Sequence, residues 1–271
     1  MPAGGTGLVL RGLRKEPATI GKWHLGWDLT YKEGKAKTVD NIDFTKRVAN
    51  GPTDRGFDYF YGLTSPSGPP HLYMVNDMAE KQPNTRFEES GGGLYKIKGG
   101  IGHSDWSADG MQPHLADKML EYLDENKDSD KPFFLYMALT APHIPLFPSK
   151  EFKGKSKIGD YGDLVMMIDD IVGRVNRKLK EIGKYDNTIV MFAADNGCAG
   201  YINMDRINRK GHYPSYIYRG YKSHGWEGGH RIPFILSWGD RYGHVTDNSL
   251  VSLTDLYATF ADMLGYRIAD D

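Results

Sequence analysis

The fold class of this chain is decided by residues 164–193, which read LVMMIDDIVGRVNRKLKEIGKYDNTIVMFA. In the first half of this stretch, apolar side chains recur three and four residues apart, which is the spacing of one face of an amphipathic helix. These side chains are Leu164, Met167, Ile168, Ile171, Val172, Val175, Leu179 and Ile182. Gly183 ends the helix, and the unbroken apolar run of residues 188–193 then predicts a buried strand.

The rest of the chain continues this alternation of helices and strands. A helix is predicted over residues 114–123, with Pro113 near its first turn and with four inward side chains, Leu115, Met119, Leu120 and Leu123. Buried strands are predicted over residues 133–138 and 233–238. Alternating strands and helices indicate an α/β domain with helices on both faces of its sheet.

The remaining segments predict one more helix and two long loops. The helix covers residues 252–264, with Thr254 or Ser252 as its N-cap. Residues 50–102 and 197–222 hold most of the Gly, Pro, Asn and Tyr and show little periodicity. We therefore expect them to form surface loops that line a site.

Composition and charge limit the functions open to this chain. Its 271 residues suffice for one large domain or two small ones. The formal net charge of -1 provides no basic field for nucleic acid, so a nucleic-acid partner is not expected. No run of residues predicts a membrane span, and the first ten residues lack a signal-peptide pattern. Cys198 is the single cysteine, which excludes an intramolecular disulfide and a Cys-based zinc cluster.

Lys22 and His24, in the stretch GKWHLG of residues 21–26, are candidates for an anion site. If this piece is extended, the two-residue period of a strand places both side chains on one face. A lysine and a histidine side by side suit a bound anion. The alternative is a surface strand with a solvated lysine and a structurally hydrogen-bonded histidine.

Asp195 and Asn196 are candidates for a metal site, because they follow the predicted strand of residues 188–193. In open α/β sheets the ligand site lies beyond the carboxyl ends of the strands. Carboxylate and amide oxygens are hard ligands that suit calcium or magnesium. The alternative is a plain Asx turn in which Gly197 takes a positive φ.

His143 lies in a loop between Pro142 and Pro145, after the predicted strand of residues 133–138. Two prolines stiffen the backbone, and a preorganised histidine suits acid–base catalysis. The alternative is a rigid connection without a catalytic role.

Residues 218–233 gather basic, acidic and glycine residues before a predicted strand. They predict an anion-binding loop with Lys222 or Arg231 as the donor. The alternative is a salt-bridged turn in which Glu227 pairs with Arg231. Cys198, beside the predicted metal ligands, is interpreted as a small buried residue.

The order and spacing of these stretches resemble the type I sulfatases, the arylsulfatase-like branch of the alkaline phosphatase superfamily. Four blocks carry the resemblance: GKWHLG (residues 21–26), APH (141–143), DNG (195–197), and Lys222 followed by WEGGHRIP (226–233). The resemblance implies an α/β, alkaline-phosphatase-like three-layer sandwich, in which a central mixed sheet carries helices on both faces. It assigns residues 1–17 to an unmatched N-terminal segment and residues 18–271 to a partial sulfatase catalytic domain.

The resemblance also implies roles for the four basic candidates. Lys22 and Lys222 would hold the sulfate group. His143, together with Lys222, would assist departure of the alcohol or phenol as charge develops on the bridging oxygen. His24 would contact the nucleophile and help to release sulfate from the covalent intermediate.

The cofactors that the resemblance implies are a metal ion and a modified residue. Asp195 and Asn196 would bind Ca²⁺, with Mg²⁺ the less favoured ion. Members of the family make their nucleophile, formylglycine, from the first residue of a Cys/Ser-x-Pro/Ala-x-Arg motif, and this sequence contains no such motif. Cys198 is followed by AGYI and cannot begin it. We therefore expect a fragment without the nucleophile, the first strand region and the C-terminal subdomain, with little or no turnover by itself.

The expected function is hydrolysis of sulfate esters, of aryl sulfates or of sulfated carbohydrates, by the complete protein. One alternative is a phosphatase or phosphodiesterase of the same superfamily. Another is a non-catalytic protein that binds sulfated ligands through Lys22, Lys222 and His143. The expected partner is a small-molecule or glycan sulfate ester, and no protein partner is evident. The resemblance implies an extracytoplasmic location, periplasmic or secreted.

Overall fold

The computed structural model describes residues 17–268, which form two compact units. Within this range the first unit comprises residues 17–90, 97–140 and 246–268, and the second comprises residues 91–96 and 141–245. The strands are β1 (Ala18–Lys22), β2 (Tyr59–Leu63), β3 (Met74–Val75), β4 (Met78–Ala79), β5 (Thr85–Phe87), β6 (Gly100–Gly102), β7 (Leu135–Ala138), β8 (Ile189–Ala193) and β9 (Phe234–Trp238). The α-helices are α1 (Met111–Glu125), α2 (Asp160–Glu181), α3 (Met204–Asn208), α4 (Glu227–His230) and α5 (Asp255–Met263). In the described range no helix has the length and apolar character needed to cross a membrane.

A mixed five-stranded sheet, in the order β4-β3-β2-β1-β7, forms the centre of the first unit. β1 pairs in parallel with both neighbours, so that Ala18 lies opposite Tyr59 in β2 and Leu135 in β7. β3 runs antiparallel to β2, and β4 runs antiparallel to β3. The predicted α/β class with a mixed sheet is therefore confirmed.

Two glycines allow β1 to lie between its neighbours at close range. A Cβ atom at Gly21 would collide with the backbone carbonyl of Ala138 in β7. A Cβ atom at Gly62 in β2 would collide with the carbonyl of Gly21. Gly21 also has a φ of 131°, which side-chain-bearing L residues rarely adopt. Any side chain at these two positions would force the strands apart.

The prediction that residues 50–102 form surface loops is wrong. This segment contains β2 to β6, and it contributes to a hydrophobic core made by Ile42, Phe44, Val48, Phe60, Leu72 and Met74. Within the aromatic and proline-rich stretch from Tyr59 to Tyr73, Tyr61 and Tyr73 are buried. Strands of two to five residues are too short to show a two-residue period in the sequence.

Side-chain hydrogen bonds of the buried Tyr61 join β2 to α1. The Tyr61 hydroxyl donates to Glu80 Oε2 at 2.8 Å and lies 2.6 Å from His114 Nε2. Because the hydroxyl has one proton and gives it to the carboxylate, His114 Nε2 is the donor in the second bond. Burial raises the pKa of Tyr61 well above its usual value and lowers the pKa of His114.

His71 is a buried histidine of the first unit. Its Nε2 donates to the carbonyl oxygen of Lys98 at 2.7 Å. The ring lies 4.4 Å from Trp106 and 5.1 Å from Phe87, measured between centroids. Burial in these aromatic surroundings lowers the pKa of His71.

The two predicted helices of the first unit are present as α1 and α5. Leu115, Met119 and Leu123 of α1 are buried as predicted. Neither predicted hydroxyl caps α5: Thr254 occupies the N-cap position without a side-chain capping bond. Instead the carboxylate of Asp255 accepts the backbone N–H of Ser252 at 2.7 Å, because a carboxylate at the start of a helix reaches back to the preceding turn.

In the second unit, α2 buries the apolar face that the sequence predicts and ends before Gly183, which has a φ of 68°. The buried carboxylate of Asp163 lies in the first turns of this helix. It accepts the backbone N–H groups of Gly154 at 2.7 Å and Ser156 at 2.5 Å. The carboxylate therefore ties the loop before the helix to the helix itself.

β8 and β9 form a separate antiparallel pair in the second unit. Both were predicted as strands, and that prediction is confirmed. The prediction that they are buried is wrong, since Ile235 is 60% exposed and Leu236 is 44% exposed. The two strands pair with no third strand in the described range, and a two-stranded sheet covers little of its own apolar surface.

Replacing Asp163 with alanine is expected to lower the free energy of unfolding by about 2–4 kcal/mol, because two charge-assisted hydrogen bonds to a buried carboxylate are lost. Urea unfolding followed by tryptophan fluorescence measures the change. The control is Asp169→Ala, which removes an exposed carboxylate from the same helix. Equal unfolding midpoints for the two variants would contradict the anchoring role of Asp163.

The free energy of unfolding is expected to fall as the pH is lowered below about 6.5, the usual pKa of histidine. The pKa values of His71 and His114 are lowered by burial, so the unfolded chain takes up protons first. This stability is complete above the unfolded pKa and is lost as the pH falls through the lower folded pKa. Urea midpoints at several pH values measure the slope. His71→Phe should flatten it, whereas replacing the exposed His212 with Phe should leave it unchanged.

Candidate active site

The loop after β8 is joined by backbone hydrogen bonds to the segment that contains Lys222. The N–H of Gly197 donates to the carbonyl of Gly229 at 2.9 Å, and the N–H of Lys222 donates to the carbonyl of Cys198 at 2.8 Å. A Cβ atom at Gly197 would collide with the facing backbone, so this approach requires glycine. The second unit therefore places residues 195–196 beside the Lys222 segment.

His143 lies in the same unit, beside Tyr201. Its Nδ1 donates to the carbonyl of Ile144 at 2.6 Å, so Nε2 is the unprotonated nitrogen of the neutral ring. The His143 and Tyr201 rings meet edge to face, with centroids 6.3 Å apart. Burial raises the pKa of Tyr201, and the neighbouring Cys198 and Asp195 raise it further. Tyr201 thus connects His143 to the loop that carries Asp195.

Arg231 is engaged in an ion pair. Its Nε donates to Glu227 Oε2 at 2.7 Å, and this pairing lowers the pKa of Glu227. The guanidinium also lies 4.6 Å from the centre of the Tyr218 ring. The salt-bridged alternative is therefore correct for Arg231, and Lys222 is the other predicted anion donor of this segment.

Lys22 and His24 lie in the first unit, and the extended conformation that would place both on one face does not continue to His24. β1 ends at Lys22, and His24 has a φ of 51°, in the left-handed region. Trp23 turns the chain here, because its backbone N–H donates to the Leu63 carbonyl at 3.0 Å and its Nε1 donates to the Gly26 carbonyl at 3.1 Å. The side chain of His24 is exposed and that of Lys22 is half-buried.

Asp195 and Asn196 fit a hard cation in the chemistry of their donor atoms. The Asn196 side-chain amide donates through Nδ2 to the Gly197 carbonyl at 3.0 Å, which leaves Oδ1 as its ligand atom. Ca²⁺ takes about six to eight oxygen ligands, so these two side chains supply only part of a coordination sphere. Across residues 17–268 no three His, Cys, Asp or Glu side chains group together as a metal site.

Two tyrosines surround Cys198 that sequence reasoning missed. The Tyr161 hydroxyl lies 3.6 Å from Cys198 Sγ, and Tyr201 lies close enough for the thiol to affect its pKa. Burial raises the pKa of the Cys198 thiol, which keeps the sulfur protonated and poorly nucleophilic. Tyr161 lies in the first turn of α2 and Tyr201 in a short 3-10 turn, and neither belongs to the apolar pattern from which the elements were predicted.

The profile of the sulfatase family matches residues 9–266. The chain belongs to the sulfatase family. It is 29% identical to the N-acetylgalactosamine-6-O-sulfatase of Bacteroides thetaiotaomicron, over 93% of this chain and 54% of that sulfatase. It is 30% identical to the arylsulfatase of Hemicentrotus pulcherrimus, over 93% of this chain and 41% of that sulfatase. The chain spans about half the length of the curated sulfatases it matches.

Solved sulfatase structures share its fold. A Bacteroides thetaiotaomicron sulfatase, described in connection with the metabolism of multiple glycosaminoglycans, superposes with a TM-score of 0.80 at 25% identity, over 98% of this chain and 61% of the other. The PsFucS1 sulfatase from Pseudoalteromonas sp. gives a TM-score of 0.69 at 26% identity, over 96% and 50%. The expected sulfatase fold, of alkaline-phosphatase type, is therefore confirmed, and membership of this family implies a metal ion in the active site.

Cys198 is expected to react with iodoacetamide more slowly in the folded protein than in urea, because burial raises the pKa of its thiol and the thiolate is the reacting form. The hydrogen bond from Tyr161 opposes this shift, so Tyr161→Phe should slow alkylation further. Tyr185→Phe, away from the thiol, is the control. Mass spectrometry of timed samples measures the rates, and faster alkylation of the Tyr161 variant would contradict this arrangement.

Proposed function

We propose that this chain is the part of a sulfatase that binds the sulfate group of a carbohydrate sulfate ester and assists its hydrolysis in the complete protein. One observation carries the proposal: the backbone bonds at Gly197 and Lys222 join two of the four sulfatase-like blocks, and His143 of a third block lies in the same unit. The names of related proteins support the carbohydrate class, since N-acetylgalactosamine-6-sulfatases occur among them.

Lys22 and Lys222 are proposed to bind the sulfate oxygens. An ammonium group is a compact cation with three donors, which suits a tetrahedral anion. Lys222 is half-buried, and its backbone is fixed to Cys198, so the position of its side chain is limited by the loop. A cation held in this way stabilises the added negative charge of the transition state more than a mobile one, because less reorganisation is needed.

His143 is proposed to act on the bridging oxygen of the ester. Its Nδ1 is committed to the Ile144 carbonyl, so Nε2 is the atom that would take up a proton and, from the protonated ring, give it to the departing alcohol. Lys222 would share this role by stabilising the charge that develops on the same oxygen. His24 is proposed to contact the nucleophile and to help release sulfate.

Asp195 and Asn196 are proposed to hold a Ca²⁺ ion through their side-chain oxygens. When bound, this ion would neutralise charge on the sulfate group. No residue of this chain is assigned as the nucleophile, because the sequence lacks the formylglycine motif. Binding, rather than turnover, is therefore the property proposed for the chain by itself. Residues 18–271 are proposed to belong to one catalytic domain of an extracytoplasmic enzyme.

Lys222→Ala is expected to weaken binding of N-acetylgalactosamine 6-sulfate roughly tenfold to a hundredfold, because a charge-assisted hydrogen bond to the ligand is lost. Isothermal titration calorimetry in the presence of Ca²⁺ measures the affinity. Lys153→Ala removes an exposed lysine from the same unit and should have no effect.

Two further titrations decide whether sulfate is the recognised group. Removal of Ca²⁺ with a chelator should weaken binding of the same sugar sulfate. N-acetylgalactosamine 6-phosphate should bind more weakly than the sulfate, and tighter binding of the phosphate would favour a phosphatase or phosphodiesterase instead.

A further inference from the structure

Residues 206–231 combine positive charge with exposed aromatic rings. They contain six Lys or Arg residues and one Glu, a formal charge of +5 in a chain whose net charge is -1. Tyr213 is 58% exposed, Tyr216 is 68% exposed and Trp226 is 52% exposed. Clustered exposed aromatic side chains on a soluble protein commonly mark a binding surface.

Ring contacts join most of these residues into two groups, and the backbone bond from the Tyr216 N–H to the Tyr213 carbonyl at 2.8 Å adds Tyr213. The Arg219 guanidinium lies 4.1 Å from the centre of the Trp226 ring, and the Arg231 guanidinium lies 4.6 Å from the Tyr218 ring. Tyr216 packs edge to face against Tyr218, with centroids 5.9 Å apart. The tyrosine–arginine surface consists of Tyr213, Tyr216, Tyr218, Arg219, Trp226 and Arg231.

Backbone and ion-pair contacts fix this surface before any ligand binds. The N–H of Gly228 donates to the Arg219 carbonyl at 2.9 Å, so the loop before α4 is tied to the helix. Arg231 is held by its ion pair with Glu227 at 2.7 Å. A surface that is already ordered loses less conformational entropy on binding, which favours affinity.

The chemistry of the surface suits a ligand with both anionic groups and apolar ring faces. Stacking uses the flat face of a guanidinium and leaves N–H groups in its plane, which can donate to sulfate or carboxylate oxygens. Exposed tyrosine and tryptophan rings offer flat apolar area for the C–H face of a sugar ring. A sulfated polysaccharide repeats both features along its length.

We infer that the tyrosine–arginine surface binds the part of a sulfated polysaccharide that extends beyond the ester group held at Lys222. Lys222 belongs to the same segment, between the Arg219 and Trp226 that stack together. The inference rests on the proposed function for its choice of ligand, since single-stranded nucleic acid also combines negative charge with stacking faces. The surface would make a long sulfated chain a better ligand than a single sugar sulfate.

The test compares the affinity of the whole chain for a chondroitin 6-sulfate octasaccharide and for N-acetylgalactosamine 6-sulfate, by calorimetry. Tyr216→Ala and Trp226→Ala should each weaken octasaccharide binding about tenfold, the loss expected for a residue that dominates a binding surface, and should leave binding of the single sugar unchanged. The Tyr216 ring is mostly exposed, so its removal does not threaten folding. Tyr242→Ala is the matched control, because Tyr242 is 64% exposed and lies beyond the far end of β9.

Each outcome decides a different point. Unchanged octasaccharide affinity in both aromatic variants would overturn the inference and leave the proposed function standing. Octasaccharide binding that depends on Tyr216, with no binding of the single sugar sulfate, would support the surface and count against the proposed sulfate site. Equal affinity for the desulfated octasaccharide, or tighter binding of single-stranded DNA, would overturn the choice of ligand. A dimer of the chain that Tyr216→Ala dissociates would show a self-association surface instead, and would also overturn the inference.

Discussion

The contact between the backbones of β1, β2 and β7 is the constraint on which the first unit depends. Gly21 and Gly62 have no side chains, so the carbonyl groups of Ala138 and Gly21 occupy the space where Cβ atoms would lie. β1 is consequently the middle strand of the sheet, and its carboxyl end is fixed at Lys22. Gly21, the first residue of the GKWHLG block, therefore has a packing role. The close strand packing that Gly21 allows fixes the backbone position of Lys22, the second residue.

Long periodic segments could be predicted from the sequence, whereas short ones could not. The apolar pattern of α2 extends over a helix of 22 residues, so single residues that depart from the pattern do not obscure it. Gly183 marks the end of the helix. β3 and β4 have two residues each, which is too short to show the two-residue alternation of a strand. Burial of β8 and β9 was predicted from their apolar composition alone. Composition does not reveal how many strands pair with them, and pairing decides burial.

The sequence allowed the residues of the candidate site to be predicted better than their conformations and contacts. The order of the blocks identified His143, Asp195, Asn196 and Lys222, and the structure places all four in one unit. The backbone of His24 could not be predicted, because the hydrogen bond of Trp23 to Gly26 depends on a turn that leaves no periodic signal. Pairing of Arg231 with Glu227 follows from a spacing of four residues, and the sequence left this pairing and anion binding as alternatives.

The exposed apolar strand β9 also affects how the molecule behaves in concentrated solution. A strand edge that carries apolar side chains is a template on which further strands add. Arg231 and Pro233 precede this strand, and Asp240 and Arg241 follow it. Charges at both ends of an apolar strand, with a proline at one end, act as gatekeepers against such growth. A net charge of -1 provides little repulsion between copies of the protein, so these flanking residues are the local feature that opposes association through β9.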